Sequence, residues 1–110
     1  MDEDKYIKPK YSKLDKHSAI TVNGKRVKIL KYKIYSHRDN LDKQEYQIIE
    51  LITKISNESL NYKRVSIVIE KLDSIIEVTG IFHGGFFQPG LSRYMFRVES
   101  HKEIDKIIGS

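Results

Sequence analysis

The chain has 110 residues and a formal net charge of +5, with 39% hydrophobic and 32% charged residues. This length suffices for one buried core but not for two, and apolar residues gathered into periodic runs argue against global disorder. Cysteine is absent, which excludes disulfides, zinc–thiolate sites and a cysteine nucleophile. An acidic start, and no apolar run near the roughly 20 residues that cross a bilayer, predict a cytoplasmic (intracellular) protein without a membrane segment.

The first elements in chain order are a tail and a hairpin. Residues 1–17 mix both charges without clean periodicity and are predicted to form an N-terminal tail or arm ahead of a single domain over residues 18–110. The dipeptide Asn23-Gly24 lies between two β-branched runs and predicts a type I′ hairpin turn, because both residues tolerate positive φ. The second strand of this hairpin is predicted over residues 25–35, with a bulge at Ile29-Leu30 where the alternation slips.

The middle and end of the chain contain further periodic segments. Acidic and amide residues at 39–42 supply an N-cap, and apolar residues at helical spacing then predict a helix over residues 41–56. Residues 62–76 fit both a strand and a helix, and we favour a strand over 64–71 because the run is β-branched. A strand over 75–82, a Gly-rich loop over 83–91 and a strand over 92–99 follow. A capping box from Ser100 to Glu103 predicts a short C-terminal amphipathic helix.

These elements predict a single α+β domain with an N-terminal β-hairpin, one main helix, antiparallel strands and a short C-terminal helix. If residues 62–76 are helical instead, the order of about the last 70 residues resembles a winged helix-turn-helix, which implies a DNA-reading helix and a hairpin wing. With the strand assignment, the order is similar to that of a double-stranded RNA-binding domain. The basic cluster expected at the last helix of that family is missing from His101-Lys102-Glu103, and we assign the sequence to neither family.

A long stretch of positive charge is the most informative feature of the sequence. Residues 16–38 contain no Asp or Glu, and their cations are Lys16, Lys25, Arg26, Lys28, Lys31, Lys33 and Arg38. A basic block beside a mildly acidic remainder is typical of a surface that meets a polyanion, with nucleic acid the leading candidate. The alternative is that these lysines protect an exposed edge strand from aggregation.

Alternation along this strand predicts which side chains face solvent. The outward set is Lys31, Lys33, Tyr35 and His37, and the inward set is Leu30, Tyr32 and Ile34. Outward ammonium groups at this spacing can meet successive phosphates while a tyrosine stacks on a base.

The Gly-rich loop adds two aromatic rings, Phe86 and Phe87, followed by Arg93. Exposed rings at a hairpin tip stack on unpaired bases, wedge between base pairs or insert into a protein partner, whereas buried rings would close one end of the core. The predicted nucleic-acid-binding residues are therefore Lys25, Arg26, Lys28, Lys31, Lys33, Tyr35, Arg38, Phe86, Phe87 and Arg93.

We predict a non-enzymatic nucleic-acid-binding protein, with DNA slightly favoured, that uses no cofactor and no metal. The sequence contains no phosphate-binding loop, and its histidines occur singly, without metal-site spacing. One alternative is a protein-binding accessory subunit or inhibitor from a mobile element, which would act on a nucleoprotein machine through the Phe86-Phe87 loop. Another is a small metal-independent nuclease in which His83 acts with His37 and a Lys or Arg. An exposed edge strand is also compatible with a homodimer.

Overall fold

A computed structural model describes residues 12–13, 18–38, 41, 43–54, 60, 62–88 and 90–106. Its strands are β1 (Ser12–Lys13), β2 (Ala19–Val22), β3 (Lys25–Val27), β4 (Lys31–Arg38), β5 (Glu45–Lys54), β6 (Arg64–Glu70), β7 (Ser74–Gln88) and β8 (Leu91–Asp105). They form one antiparallel sheet in the order β1-β4-β5-β8-β7-β6-β2-β3. The described residues contain no helix, so the predicted α+β class and the winged helix-turn-helix alternative are both wrong. In this part of the chain no apolar helix reaches membrane-spanning length.

The predicted N-terminal hairpin is confirmed, but its second strand is shorter than predicted. Asn23 and Gly24 have φ angles of 52° and 81°, in the left-handed region that a type I′ turn requires. The Asn23 Oδ1 atom accepts a hydrogen bond of 2.8 Å from the Ser66 backbone N–H, which ties the turn to β6. The predicted strand over residues 25–35 is wrong, because β3 ends at Val27 and β4 begins at Lys31. The slip at Ile29-Leu30 marks a break between two strands and not a bulge.

The sheet curls on itself, because a flat sheet cannot satisfy both its strand order and its connections. β3 and β4 are separated by six inter-strand spacings of about 4.8 Å, or about 29 Å across a flat sheet. Only residues 28–30 connect them, and four Cα–Cα steps of about 3.8 Å reach about 15 Å. The strands therefore wrap around one core, which gives the sheet an inner face toward that core and an opposite side away from it.

The inner face carries the hydrophobic core. Alternate residues of β6, Val65, Ile67 and Ile69, are buried while their neighbours are exposed or half-buried, as expected for a strand with one face on the core. Strands β2 to β8 all contribute, and Tyr32, Leu51 and Phe96 belong to the same cluster. Each of these strands thus needs the others to cover its apolar side, and the described strands β2 to β8 share one core.

The predicted helix over residues 41–56 is replaced by β5, and the reason is burial on both faces. Six consecutive residues of this strand, 48–53, are buried, so apolar side chains occur at adjacent as well as alternate positions. A strand covered on both sides has a near-continuous hydrophobic run, which also satisfies helical spacing. The β-branched side chains of Ile48, Ile49, Ile52 and Thr53 favour the extended form. Residues 55–56 lie outside the described part of the chain.

The last third of the chain forms a long β7–β8 hairpin. The strand predicted over 64–71 is confirmed as β6, and those predicted over 75–82 and 92–99 lie within longer strands. The predicted loop over residues 83–91 is wrong for 83–88, which continue β7 to Gln88. The predicted C-terminal helix is also wrong up to Asp105, because residues 100–105 pair with Ser74–Thr79 in register. Residues 107–110 lie outside the described part.

Register shifts occur at two points in this hairpin, between Thr79 and Gly80 and between Phe82 and Gly84. Bulges of this kind bend a strand and increase its twist. At the second shift, His83 is the residue passed over in the pairing. The bends let one long hairpin follow the curled sheet while β6 pairs with β7 and β5 pairs with β8.

Gly80→Ala is expected to lower the free energy of unfolding by about 1–3 kcal/mol, the usual cost of overpacking. A Cβ at residue 80 would lie 2.7 Å from the carbonyl oxygen of Arg97 and 3.3 Å from the Cβ of Phe96. Because the carbonyl belongs to the backbone of β8, only a backbone shift relieves the clash. Gly84→Ala is the matched control, since its Cβ would meet Met95 Cε at an ordinary 3.6 Å. Equal losses in urea unfolding would contradict the close approach at Gly80.

Candidate nucleic-acid interface

The outer face of β4, β5, β8 and β7 brings basic and aromatic side chains together in four rows. Side chains alternate along each of these strands, so a residue between two core residues points outward. The pairing register aligns these outward residues across the sheet. The rows are Lys31, Ile52, Arg93 and Phe86; then Lys33, Glu50, Met95 and Gly84; then Tyr35, Ile48, Arg97 and Ile81; and finally His37 and Tyr46, with His83 nearby. These residues define what we call the outer face. They include four Lys or Arg side chains and one carboxylate.

Two isoleucines form an apolar floor on the outer face. Ile48 and Ile52 are only 1% and 4% exposed, although they point away from the core cluster. In the register, Ile52 lies between Lys31 and Arg93, and Ile48 lies between Tyr35 and Arg97. Long basic side chains bury their aliphatic stems on such a floor while their charged ends reach solvent. The outer face thus presents cations above two buried isoleucine side chains.

Glu50 is the one carboxylate in the outer face, and it is 3% exposed. Its Oε2 atom lies 3.9 Å from Lys33 Nζ and 3.5 Å from Arg93 Nε, so one carboxylate forms ion pairs with cations from two different strands. Burial raises the pKa of the Glu50 carboxyl above its ordinary value, and the positive charge of Arg93 partly opposes that rise. Glu50 therefore sets the positions of Lys33 and Arg93 and reduces their net charge.

Aromatic rings lie directly beside the cations. Lys33 Nζ is 5.0 Å from the centroid of the Tyr35 ring, and the guanidinium carbon of Arg97 is 4.3 Å from that of Tyr46. Both distances fit cation–π contacts, which hold a flexible side chain close to a ring. Burial raises the pKa of the Tyr35 hydroxyl, with the positive charge of Arg93 opposing it and Tyr46 adding to it. Tyr35 therefore stays neutral around physiological pH.

A second group of rings surrounds Tyr46. Its ring centroid is 5.3 Å from that of His37 and 6.0 Å from that of His83, and both contacts are tilted. His37 comes from β4 and His83 from β7, on either side of β5 and β8 in the sheet order. Both imidazoles are exposed. Two histidines 46 positions apart in the sequence thus contact one tyrosine, which also contacts Arg97.

The structure places five of the ten predicted site residues on the outer face and four elsewhere. Lys31, Lys33, Tyr35, Phe86 and Arg93 lie on the outer face. Lys25 and Arg26 are in β3, at the opposite end of the strand order, and Lys28 is in the segment between β3 and β4. Arg38 is the last residue of β4 and falls in the alternation with the inward-pointing residues of that strand. The side chain of Phe87 lies outside the described part of the structure.

The predicted alternation in β4 is mostly confirmed. Tyr32 is buried, and Ile34 packs against the core, as the inward prediction requires. Leu30 was predicted inward but is 42% exposed, because it belongs to the link before β4 and not to a continuous strand.

Sequence reasoning did not include Tyr46, Glu50 and Arg97 among the site residues. Tyr46 and Glu50 were not identified because residues 41–56 were predicted to be a helix, whereas the alternation that points these two side chains outward exists only in a strand. A signal for Arg97 was present, since Arg93, Met95 and Arg97 alternate with the inward Tyr94 and Phe96 in β8. Period-2 alternation of this kind identifies a face but not its neighbours.

No protein-family model, curated protein or solved structure matches this chain. Among the residues that the structure describes, no three His, Asp or Glu side chains gather in a way that could hold a metal ion.

Proposed function

We propose that the outer face binds single-stranded nucleic acid, with its cations on phosphates and its rings on bases. The observation that supports this proposal is the placement of four cations and three aromatic rings on one side of four adjacent strands, around one carboxylate. The basic residues come from β4 and β8, which are separated only by β5. A polymer that crosses these strands meets positive charge repeatedly.

The spacing of the outer face suits a chain of phosphates. Rows of the same parity are about 7 Å apart along a strand, and neighbouring strands are about 4.8 Å apart. Lys31 and Arg93 lie in one row, Lys33 in the next and Arg97 in the third. Their charged ends thus form a two-dimensional array that a flexible backbone can follow. Neutralised phosphates release counterions, which drives such binding and makes it sensitive to salt.

The aromatic rings favour a single strand over a duplex. Bases in a duplex are stacked on each other, so a protein ring reaches their faces only when they are unpaired. Tyr35 and Tyr46 lie within the array, and Phe86, which is 59% exposed, lies at its β7 side. Stacking on such rings is tolerant of sequence, because every base has a π-face. We therefore expect weak sequence preference.

Binding should be measured by fluorescence anisotropy with labelled single-stranded DNA, single-stranded RNA and duplex DNA of one sequence. For three or four neutralised phosphates, the affinity for a single strand is expected to fall roughly 20- to 50-fold between 50 and 200 mM salt. The duplex is expected to bind more weakly than either single strand at both salt concentrations. A flat salt response, or a clear preference for the duplex, would contradict the proposal.

Lys31→Glu is expected to weaken single-strand binding about tenfold and to lower the salt slope by about one. Lys25→Glu is the matched control with the same change of charge. Its position pairs with inward-facing Val22, so Lys25 has the parity of the inner side of the sheet and does not belong to the outer face, and we expect at most about a twofold effect. If the two variants lose affinity equally, the binding surface extends over the whole basic segment and is not confined to the outer face.

The protein-partner alternative concerns the tip of the β7–β8 hairpin, where Phe86 and Leu91 are exposed. It stays a prediction. Phe86→Ala together with Phe87→Ala should abolish capture of such a partner.

A further inference from the structure

We propose that the outer face also cleaves the single strand it binds when that strand is RNA, with His37 and His83 as general base and general acid. This inference rests on the proposed function and goes beyond it, because binding requires no proton transfer. The geometry that supports it is the convergence of both histidines on Tyr46, with ring centroids 5.3 and 6.0 Å from the tyrosine ring. The Arg97 guanidinium lies over the same ring at 4.3 Å.

The arrangement supplies the groups that metal-independent RNA cleavage needs. An imidazole accepts or donates a proton near neutral pH, so two of them on opposite sides of a phosphate can serve as base and acid in one step. A guanidinium beside them stabilises the negative charge that develops on the phosphate oxygens. Tyr46 contacts both imidazoles and also Arg97, whose strand β8 lies between β4 and β7 in the sheet order.

The proposed reaction is an internal phosphoryl transfer. One imidazole takes the proton of a ribose 2′-hydroxyl, and the 2′-oxygen forms a bond to the adjacent phosphorus. The bond between phosphorus and the 5′-oxygen of the next nucleotide breaks, and the other imidazole, in its protonated form, gives that oxygen a proton. The products are a 2′,3′-cyclic phosphate and a 5′-hydroxyl end. Proton exchange with water restores both imidazoles, and no metal, oxidant or further reactant is consumed.

The activity should be tested on an unstructured labelled RNA of about 20 nucleotides in the presence of a chelator, with products identified by mass spectrometry. We expect slow cleavage that leaves 2′,3′-cyclic phosphate ends, and no cleavage of the DNA of the same sequence although it binds. His37→Ala and His83→Ala are each expected to reduce the cleavage rate by about 100-fold or more. The affinity of both variants for the DNA is measured alongside, and the loss in cleavage rate at saturating RNA should exceed any loss in DNA affinity by about tenfold or more.

His101→Ala is the matched control, since His101 is exposed but contacts Gln47 and not the Tyr46 cluster. It should cleave as the wild type does. A protein that binds RNA with the predicted salt dependence but does not cleave it overturns this inference and leaves the proposed function intact. Equal cleavage by wild type, His37→Ala and His83→Ala would identify a contaminating nuclease and also overturn it. Failure to bind any single strand overturns both proposals.

Discussion

Phe96→Ala is expected to lower the free energy of unfolding by about 3–5 kcal/mol, the usual cost of removing a large side chain from a packed core. Phe96 is 0% exposed and belongs to the inner-face cluster. In the register it lies opposite Ile49 of β5 on one side and Phe82 of β7 on the other. Its ring meets that of Phe82 edge to face, with centroids 5.8 Å apart. Truncation therefore leaves a cavity between three neighbouring strands.

Phe82→Ala is the matched control, because it removes the same atoms from the other partner of this ring pair. Phe82 is 38% exposed, so it loses less buried apolar surface and leaves a gap that water can fill. We expect a loss of about 1–2 kcal/mol in urea unfolding followed by circular dichroism. If Phe82→Ala costs as much as Phe96→Ala, the inner face of β8 is not the centre of the core.

The sequence predicts correctly those elements that local chemistry decides. The hairpin at Asn23-Gly24 follows from the φ angles that these two residues tolerate, and that preference does not depend on the rest of the chain. β6 is also predicted, because its β-branched residues alternate between a buried and a more exposed side. Both elements have one face on the core, which is the situation in which a period of two is visible.

The missed strands are those whose character depends on distant partners. β5 has Ile48, Glu50 and Ile52 buried on its outer face as well as Ile49 and Leu51 on its inner face, so alternation disappears and helical spacing is matched by chance. The end of β8 has a capping-box pattern at Ser100–Glu103, but pairing with Ile76–Thr79 of β7 satisfies its backbone groups. Tertiary pairing thus overrides a local helix signal.

Residues of the candidate site likewise divide into those that one strand places and those that only the sheet brings together. Lys31, Lys33 and Tyr35 could be placed on one face from the sequence, because they alternate within a single strand. Their partners Glu50, Arg93 and Arg97 come from β5 and β8, and only the strand order brings them together. No local pattern contains that order. The predicted basic segment accordingly divides between β3 and β4, which do not pair with each other, and cations from β8 complete the outer face.

Glu50→Gln is expected to raise the affinity for single-stranded nucleic acid about tenfold at neutral pH. A unit charge about 8 Å from a phosphate changes the interaction energy by about 2 kcal/mol at an effective dielectric constant of about 20, and salt screens part of this effect. The substitution removes the only carboxylate of the outer face and keeps its shape, so Lys33 and Arg93 stay covered by a polar group. Glu77→Gln is the control. Glu77 is exposed in β7 opposite Lys102 and lies outside the rows of the outer face, so this change should alter the affinity little.

The pH dependence separates this electrostatic effect from a change of structure. Because burial raises the pKa of Glu50 in the folded state above the ordinary 4.5, the folded protein holds a proton that the unfolded chain releases. Stability should therefore fall as pH rises from below 4.5 through the raised value, and the cost of the buried charge is fully present above it. Over the same interval the affinity of the wild type should fall, because Glu50 becomes charged beside Lys33 and Arg93. Glu50→Gln should show neither this fall in stability nor this fall in affinity. A wild type and a Glu50→Gln variant with parallel pH profiles for stability and binding would mean that Glu50 does not control the charge of the outer face.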